Sequence, residues 1–353
     1  MNKLTCGFIA PDSGGFIAPI KDGFESNGCT VKIFSNSSPL ELDKCDFIVF
    51  CGPMQSMIPT IARISKKIKI SPLIIWFTEQ TPSPDSSKFA IYLAAKIRYS
   101  LEEFVHLHKV PHWVSNSKDF PLFLKRAGRI RALGEMLTLK SRNLLTLICT
   151  FTNTNAIFFE QFHLPVTVMP MGYHPQWGED ICLEKDIDVV FLGSTRDYRR
   201  RNIISELENK LSSKGIRFVI KDGSTKYGYI YGKERTILLN RTKIMLNIMR
   251  QPWDDPIFRL LLAAPNKAML LSEKVHPMSM GPFQDGRHFA MVNLSEMAEA
   301  IEYFLSNSHE REQIAKRAYE YVTNDITMEK MCKKILEKLN YGGFSVNASY
   351  PLI

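Results

Sequence analysis

The chain has 353 residues, 45% of them apolar and 23% charged, with a formal net charge of +9. That length exceeds one ordinary core and implies two domains, and the composition excludes disordered and fibrous classes. No run of about 18 apolar residues exists to cross a membrane. The start, MNKLTCGFIAPDSGG, reads as a first strand and turn rather than a signal peptide, so a cytoplasmic protein is expected. Seven scattered cysteines without a CxxC pair suit reduced, buried thiols. The basic balance favours polyanionic partners such as nucleic acid, an anionic membrane face or phosphates, and a merely soluble basic surface is the competing explanation.

In chain order, Lys3 to Ala10 reads as a strand, and PDSGG then turns into a helix ending near Asn27-Gly28. Further strands are expected at Cys29 to Phe34, Asp46 to Cys51 and Leu73 to Phe77, with helices between them at the spacing of a doubly wound sheet. A polar cluster follows each of three strands: Asp12 to Gly15, Gly52-Pro53, and Thr78-Glu79-Gln80. Ligands of open α/β sheets bind at those carboxyl ends. From Asp85 to about Arg142 the pattern is mainly helical and basic, with Pro111 and Pro121 interrupting it. Leu145 to Thr150 resumes as a strand and a helix follows from Asn155. The run VTVMPMGYHPQWGED then leads out of the first domain. Its Pro170, Gly172 and Pro175 mark a linker, which divides the chain into 1–174, 175–340 and a tail at 341–353.

The second half opens on DIDVVFLG, whose continuous apolar run suits a strand buried on both faces of a parallel sheet. Gly193 and Ser194 follow, and then a helix beginning with Arg199, Arg200 and Arg201. Small residues there let a phosphate approach the backbone, while the helix start offers free N–H groups. Three cations at a helix start oppose the macrodipole, so a bound anion would remove a cost. More strands are expected at Ile216 to Ile220 and NRTKIMLNI, then a helix-to-strand turn, FRLLLAAPNKAMLLSE, ending on Glu273. A glycine-containing loop, the short strand HFAMV, and helices at about 295–306, 309–324 and 327–339 complete the fold.

Taken together, DIDVVFLGS, RRRNI, NRTKIMLNI and the run from Arg259 through Ala264, Asn266, Lys267, Ala268 and Ser272 to Glu273 resemble the C-terminal domain of GT-B glycosyltransferases of the CgeB-like and group-1 types. The linker VMPMGYHP resembles the Pro-x-Gly-Tyr passage ahead of that domain. The likeness covers about residues 150–330. It implies an α/β fold of two Rossmann-like domains facing across a cleft. The run IIWFTEQTPSP, with the overall layout, is similar to phage DNA β-glucosyltransferases, where the acid after this strand is the general base. That role would fall on Glu79, with Asp12 the competing base.

Glycosyl transfer from a nucleotide sugar, a UDP-sugar first, needs positive charge on the departing diphosphate. Gly193, Ser194, Arg200, Arg201, Lys243 and Arg259 are the expected donor-side residues, and Glu273 can accept ribose hydroxyls. Gly14, Gly15, Lys125 and Arg126 stand on the expected acceptor side. Leu261 occupies a position where the group-1 pattern often has glutamate, which departs from a retaining geometry. Direct attack by an acceptor hydroxyl, without a metal, would invert the anomeric centre. The acceptor stays open between a hydroxymethylated base in DNA, flipped from the duplex, and a surface glycan or protein. A two-domain protein that clamps a nucleotide without chemistry is the alternative. A dinucleotide oxidoreductase lacks its GxGxxG.

Three further patterns read as ordinary surface features. His106, His108 and His112 lack a supporting carboxylate motif for a metal. Asp186 and Asp188 spell DxD but begin a strand, at the end away from the cleft. Trp253 lies in a turn, with stacking on a base or sugar as its other reading.

Overall fold

The structure is a computed structural model that describes residues 3–9, 15–34, 44–51, 71–79, 81–83, 86–107, 128–222, 228, 230–251, 253–254, 256–275 and 281–341. Two sheets organise it. The first contains β1 (Thr5–Ile9), β2 (Thr30–Phe34), β3 (Phe47–Cys51), β4 (Leu73–Trp76), β5 (Leu145–Thr150) and β6 (Val166–Val168), in the order β2-β1-β3-β4-β5-β6. The second contains β7 (Ile187–Leu192), β8 (Phe218–Lys221), β9 (Thr242–Asn247), β10 (Met269–Glu273) and β11 (Ala290–Val292), in the order β11-β10-β9-β7-β8. Among the described residues every strand pair is parallel.

Both sheets are wound alike. The chain steps to one edge with its second strand, then crosses over the first to build the other side. Each sheet therefore reverses direction once, between β1 and β3 and between β7 and β9, and a crevice opens at the carboxyl ends of those strands. Strands such as FIVFC, LIIW and MLLSE are buried along their whole length, so both faces need helical cover. In the first half that cover comes from α1 (Ile17–Ser26), α2 (Lys88–Leu107), α3 (Gly128–Ser141) and α4 (Asn153–Glu160). In the second it comes from α5 (Tyr198–Ser212), α6 (Gly232–Asn240), α7 (Ile257–Ala263), α8 (Met297–Ser306) and α9 (Ser308–Asn324).

Three apolar clusters result. One lies outside the first sheet, where Phe50, Ile75 and Ile148 meet Leu133, Met136 and Phe159. Another lies outside the second sheet, where Phe191, Leu246 and Leu271 meet Ile204, Ile301 and Ile314. The third runs across both halves and joins Phe8 and Trp76 to Val190, Met245 and Leu260.

The last helix, α10 (Met328–Tyr341), contributes to this shared cluster through Met331 and Ile335. It follows the second sheet in sequence but packs on α1. A Cβ on Gly23 would stand 2.7 Å from the Met328 side chain, and the Asn27 amide donates to the Glu329 carbonyl at 2.9 Å. The second half, expected to extend to residue 340, thus gives its final helix back to the first. Outgoing and returning segments also pair. The Tyr173 N–H donates to Ile326 at 2.6 Å and the Met328 N–H to Tyr173 at 2.8 Å. A Cβ on Gly172 would fall 2.4 Å from the Thr327 and Met328 backbone, so only glycine lets the two strands approach this closely.

Candidate functional site

The carboxyl ends of the two sheets meet. Phe16, ahead of α1, packs against Phe258 of α7 and Trp177 of the linker, with ring centroids 5.8 and 6.5 Å apart. Beyond β9, the Trp253 indole N–H donates to the Thr81 carbonyl, beyond β4, at 3.2 Å. A Cβ on Gly281, beyond β10, would stand 3.1 Å from the carbonyl of Phe151, beyond β5. Trp253 is thereby engaged as a bridge between the halves.

At the reversal point of the second sheet lies Arg259. Its Nε donates to the Leu192 carbonyl at the end of β7 (3.3 Å), and its Nη1 to Asn247 Oδ1 at the end of β9 (2.6 Å). Asn247 is fixed in turn by its bond to Ser272 Oγ at 2.8 Å. Arg200, only 3% exposed, donates from Nη1 to the Ser194 carbonyl at 3.1 Å, and its Nε has no hydrogen-bond partner. The two guanidinium groups flank one ring, at 5.8 and 5.7 Å from the centroid of Phe191. Burial, with the Arg259 and Arg250 cations beside it, pushes Arg200 down to about 9. A guanidinium keeps its proton in a protein, so the buried charge of Arg200 favours an anion nearby.

The loop that carries these groups is tightly built. The Thr195 N–H donates to Asp222 Oδ2 at 2.8 Å, its hydroxyl donates to the same oxygen, and Asp197 caps α5 by accepting from the Arg200 N–H at 3.2 Å. A Cβ on Gly193 would come within 2.9 Å of Arg259 Nη2 and 3.2 Å of the Phe191 ring. A side chain there would have to displace the guanidinium.

Residues 196–337 match the model of the glycosyl transferase-like family. Among solved structures the chain is similar to Anabaena HepE in complex with UDP-glucose (TM-score 0.58, 10% identity), over 96% of this chain and 100% of that one. It is similar to sucrose-phosphate synthase of Thermosynechococcus elongatus (TM-score 0.57, 9% identity), over 96% and 99%. An S. aureus TarM mutant bound to fondaparinux, alpha-GlcNAc-glycerol and UDP gives TM-score 0.56 at 11% identity, over 85% and 57%. No curated protein matches by sequence. Residues 196–337 are a glycosyl transferase-like domain, and the chain has a GT-B fold.

The structure gathers Gly193, Ser194, Arg200 and Arg259 at one crevice. Three other expectations need correction. Arg201 is exposed and lies 5.7 Å over the ring of Tyr198, because one residue on a helix is about 100° of rotation. Lys243 stands at the amino end of β9, roughly 13 Å of strand from Asn247 at the crevice at 3.3 Å per residue. There it pairs with Asp188 at 2.7 Å. Glu273 does lie at the end of β10, but its oxygens already accept from both Arg199 Nη groups, at 3.1 and 2.5 Å, and from the Met249 N–H. In this structure it holds Arg199 rather than facing an open ribose site.

On the other side of the cleft, Glu79 is half-buried, two residues before the Thr81 that Trp253 grips. Gly15 is exposed just ahead of Phe16. Asp12, Gly14, Lys125 and Arg126 lie outside the described residues, as do His108 and His112; His106 falls in α2. Among the described residues no group of three His, Cys, Asp or Glu could hold a metal ion. Asp186 is paired with Arg217 and Arg241, and Asp188 with Lys243, which places DxD at the strand starts as edge charge.

Sequence reasoning missed the pairing of Arg199 with Glu273, the role of Asn247 and the Thr195–Asp222 lock. Asn247 was findable, since it closes the apolar strand NRTKIMLNI with a polar side chain in the same way that Gly193-Ser194 closes its neighbour. A cavity of about 280 Å³ also opens along the seam, lined by Met169, Pro170, Tyr321, Ile326, Met331 and Lys334 among others. It shares no residue with the arginine crevice and lies where the two connecting segments cross.

Proposed function

We propose that this protein transfers a sugar from a nucleotide sugar, a UDP-sugar first, to an acceptor hydroxyl presented by the first domain. The observation that carries this reading is the convergence of two guanidinium groups at the reversal point of the second sheet: Arg200, 3% exposed and with an unpartnered Nε, and Arg259, tied to the ends of β7 and β9. A diphosphate is the anion that two converging guanidinium groups bind well. As the glycosidic bond to the diphosphate breaks, charge grows on its oxygens, and preorganised guanidinium groups stabilise that state more than the ground state. Two fixed cations can serve here without a divalent ion.

Glu79 is the candidate base. Its carboxylate takes the proton of the acceptor hydroxyl while the oxygen attacks the anomeric carbon from the face opposite the departing diphosphate, which inverts that centre. Asp12 is the alternative base. The net charge of +9 supports a polyanionic acceptor such as DNA. Seven free cysteines, six of them buried, suit a reducing compartment such as the cytoplasm.

A thermal-shift panel of UDP-, GDP-, ADP- and TDP-sugars tests the donor site, because a ligand of the native state raises the melting temperature with the logarithm of its saturation. One or more should raise it, and the shift should vanish in Arg259→Ala. If none does, the proposal fails. Glu79→Gln should keep the donor shift and lose transfer by at least about a hundredfold. Unchanged function in that variant would identify a binding protein without chemistry.

A further inference from the structure

Helix α2 is apolar on two opposite sides. Ile91, Ala95 and Tyr99, four residues apart, are buried. Their helix presses on α3 so closely that a Cβ on Gly134 would stand 2.5 Å from the Ala95 carbonyl. The outward side carries Phe89, Leu93, Ile97 and Leu101, again four apart, at 75, 47, 44 and 41% exposure, with Tyr92 beside them at 41%. A four-residue step advances about 40° around a helix, so these side chains form one sloping stripe. A helix apolar on all sides is normally enclosed by protein or lipid, and a contiguous exposed stripe of this kind marks an interaction surface.

The charges around the stripe specify the occupant. Helix α2 contains Lys88, Lys96 and Arg98 along the stripe, and its carboxylates, Glu102 and Glu103, follow only after Leu101. The Lys96 ammonium lies 5.9 Å over the ring of Tyr92, and that of Lys88 5.9 Å over the ring of Phe162. Long basic side chains lying along apolar neighbours, with aromatic and aliphatic groups between them, are the composition of a helix that rests in a lipid interface. No described helix is long and apolar enough to cross a membrane. We propose that the outer stripe of α2 docks the first domain on an anionic lipid surface. Phe89, Leu93 and Ile97 enter the boundary between headgroups and acyl chains, and Lys88 and Lys96 reach the lipid phosphates. This proposal stands independently of the sugar-transfer reading.

The test is co-sedimentation of the full chain with vesicles of phosphatidylcholine mixed with phosphatidylglycerol, against vesicles of phosphatidylcholine alone. The protein should partition onto the anionic vesicles, less so as salt rises. The triple variant Phe89→Ser, Leu93→Ser, Ile97→Ser should lose on the order of tenfold or more in partitioning with its melting temperature unchanged. If that variant misfolds, Lys96→Glu alone should still lower binding to the anionic vesicles. Three outcomes overturn the proposal: no binding by the unaltered protein, equal binding by the variants, or a dimer in solution that the triple variant converts to a monomer. The last would assign the stripe to a second copy of this chain.

Discussion

Two arginines one position apart have opposite energetics. Arg199 is neutralised by Glu273, whose side chain is 3% exposed, and that bond raises the guanidinium above its usual range. Glu273→Gln would leave Arg199 with a neutral partner and weaken the tie to Met249, so it should cost about 2 kcal/mol in urea unfolding. Arg200 is buried without such a partner. Arg200→Leu should therefore leave the donor-free protein no less stable, with a gain of up to about 1 kcal/mol, while abolishing the donor-induced rise in melting temperature. A site that gains stability when its charge is deleted and loses its ligand at the same time is a binding site held under strain.

The strands of the second sheet are tied differently at their two ends. At the amino ends, Asp186 pairs with Arg241 and Arg217, and Asp188 with Lys243. In the linker ahead of β7, Asp180 pairs with Lys267 at 2.6 Å. The Arg241 hydrogen bond holds the Asp186 carboxyl well below its ordinary 3.8. Partial burial pushes Asp180 and Asp188 upward, but Lys267 and Lys243 with nearby amides outweigh it and hold both low. In the unfolded chain these carboxylates bind protons near their ordinary value, before the folded ones do. Their contribution is thus present above about pH 4 and lost as the pH falls through the lower folded values. A urea midpoint measured against pH should be flat above about pH 5 and decline below 4, modestly because these pairs are partly exposed. Asp186→Asn should shrink that decline. At the carboxyl ends, by contrast, Arg200 and Arg259 converge on the ring of Phe191.

For the whole molecule, the shared cluster is decisive. Two-domain chains commonly unfold in steps, and interfaces between domains are usually small and polar. Here the inner faces of both sheets and α10 form one apolar body, and the connecting strands pair at Tyr173 with Thr327. Calorimetry should show a single transition, which a bound donor moves as a unit. Gly172→Ala, forced against the Thr327 backbone, should lower that transition by several degrees, about 2 kcal/mol for a displaced close contact. Two resolved peaks would contradict this picture.

What the sequence determined by itself was whatever depends on neighbours in the chain. Apolar runs such as VVFL and LIIW announce buried parallel strands, and glycines at strand ends announce turns, so most elements were legible to within a few residues. The helices expected at about 295–306, 309–324 and 327–339 are observed at Met297–Ser306, Ser308–Asn324 and Met328–Tyr341. Gly193, Ser194, Arg200 and Arg259 were legible for the same reason, since each lies at a strand end or early in a helix. The tertiary structure alone decided the rest. It assigned Arg199 to Glu273 and Lys243 to Asp188 across 74 and 55 residues of sequence, and it sent α10 back to α1. Which cation finds a carboxylate and which is left for a ligand depends on strands brought side by side by parallel crossovers. Local propensity has no access to that pairing.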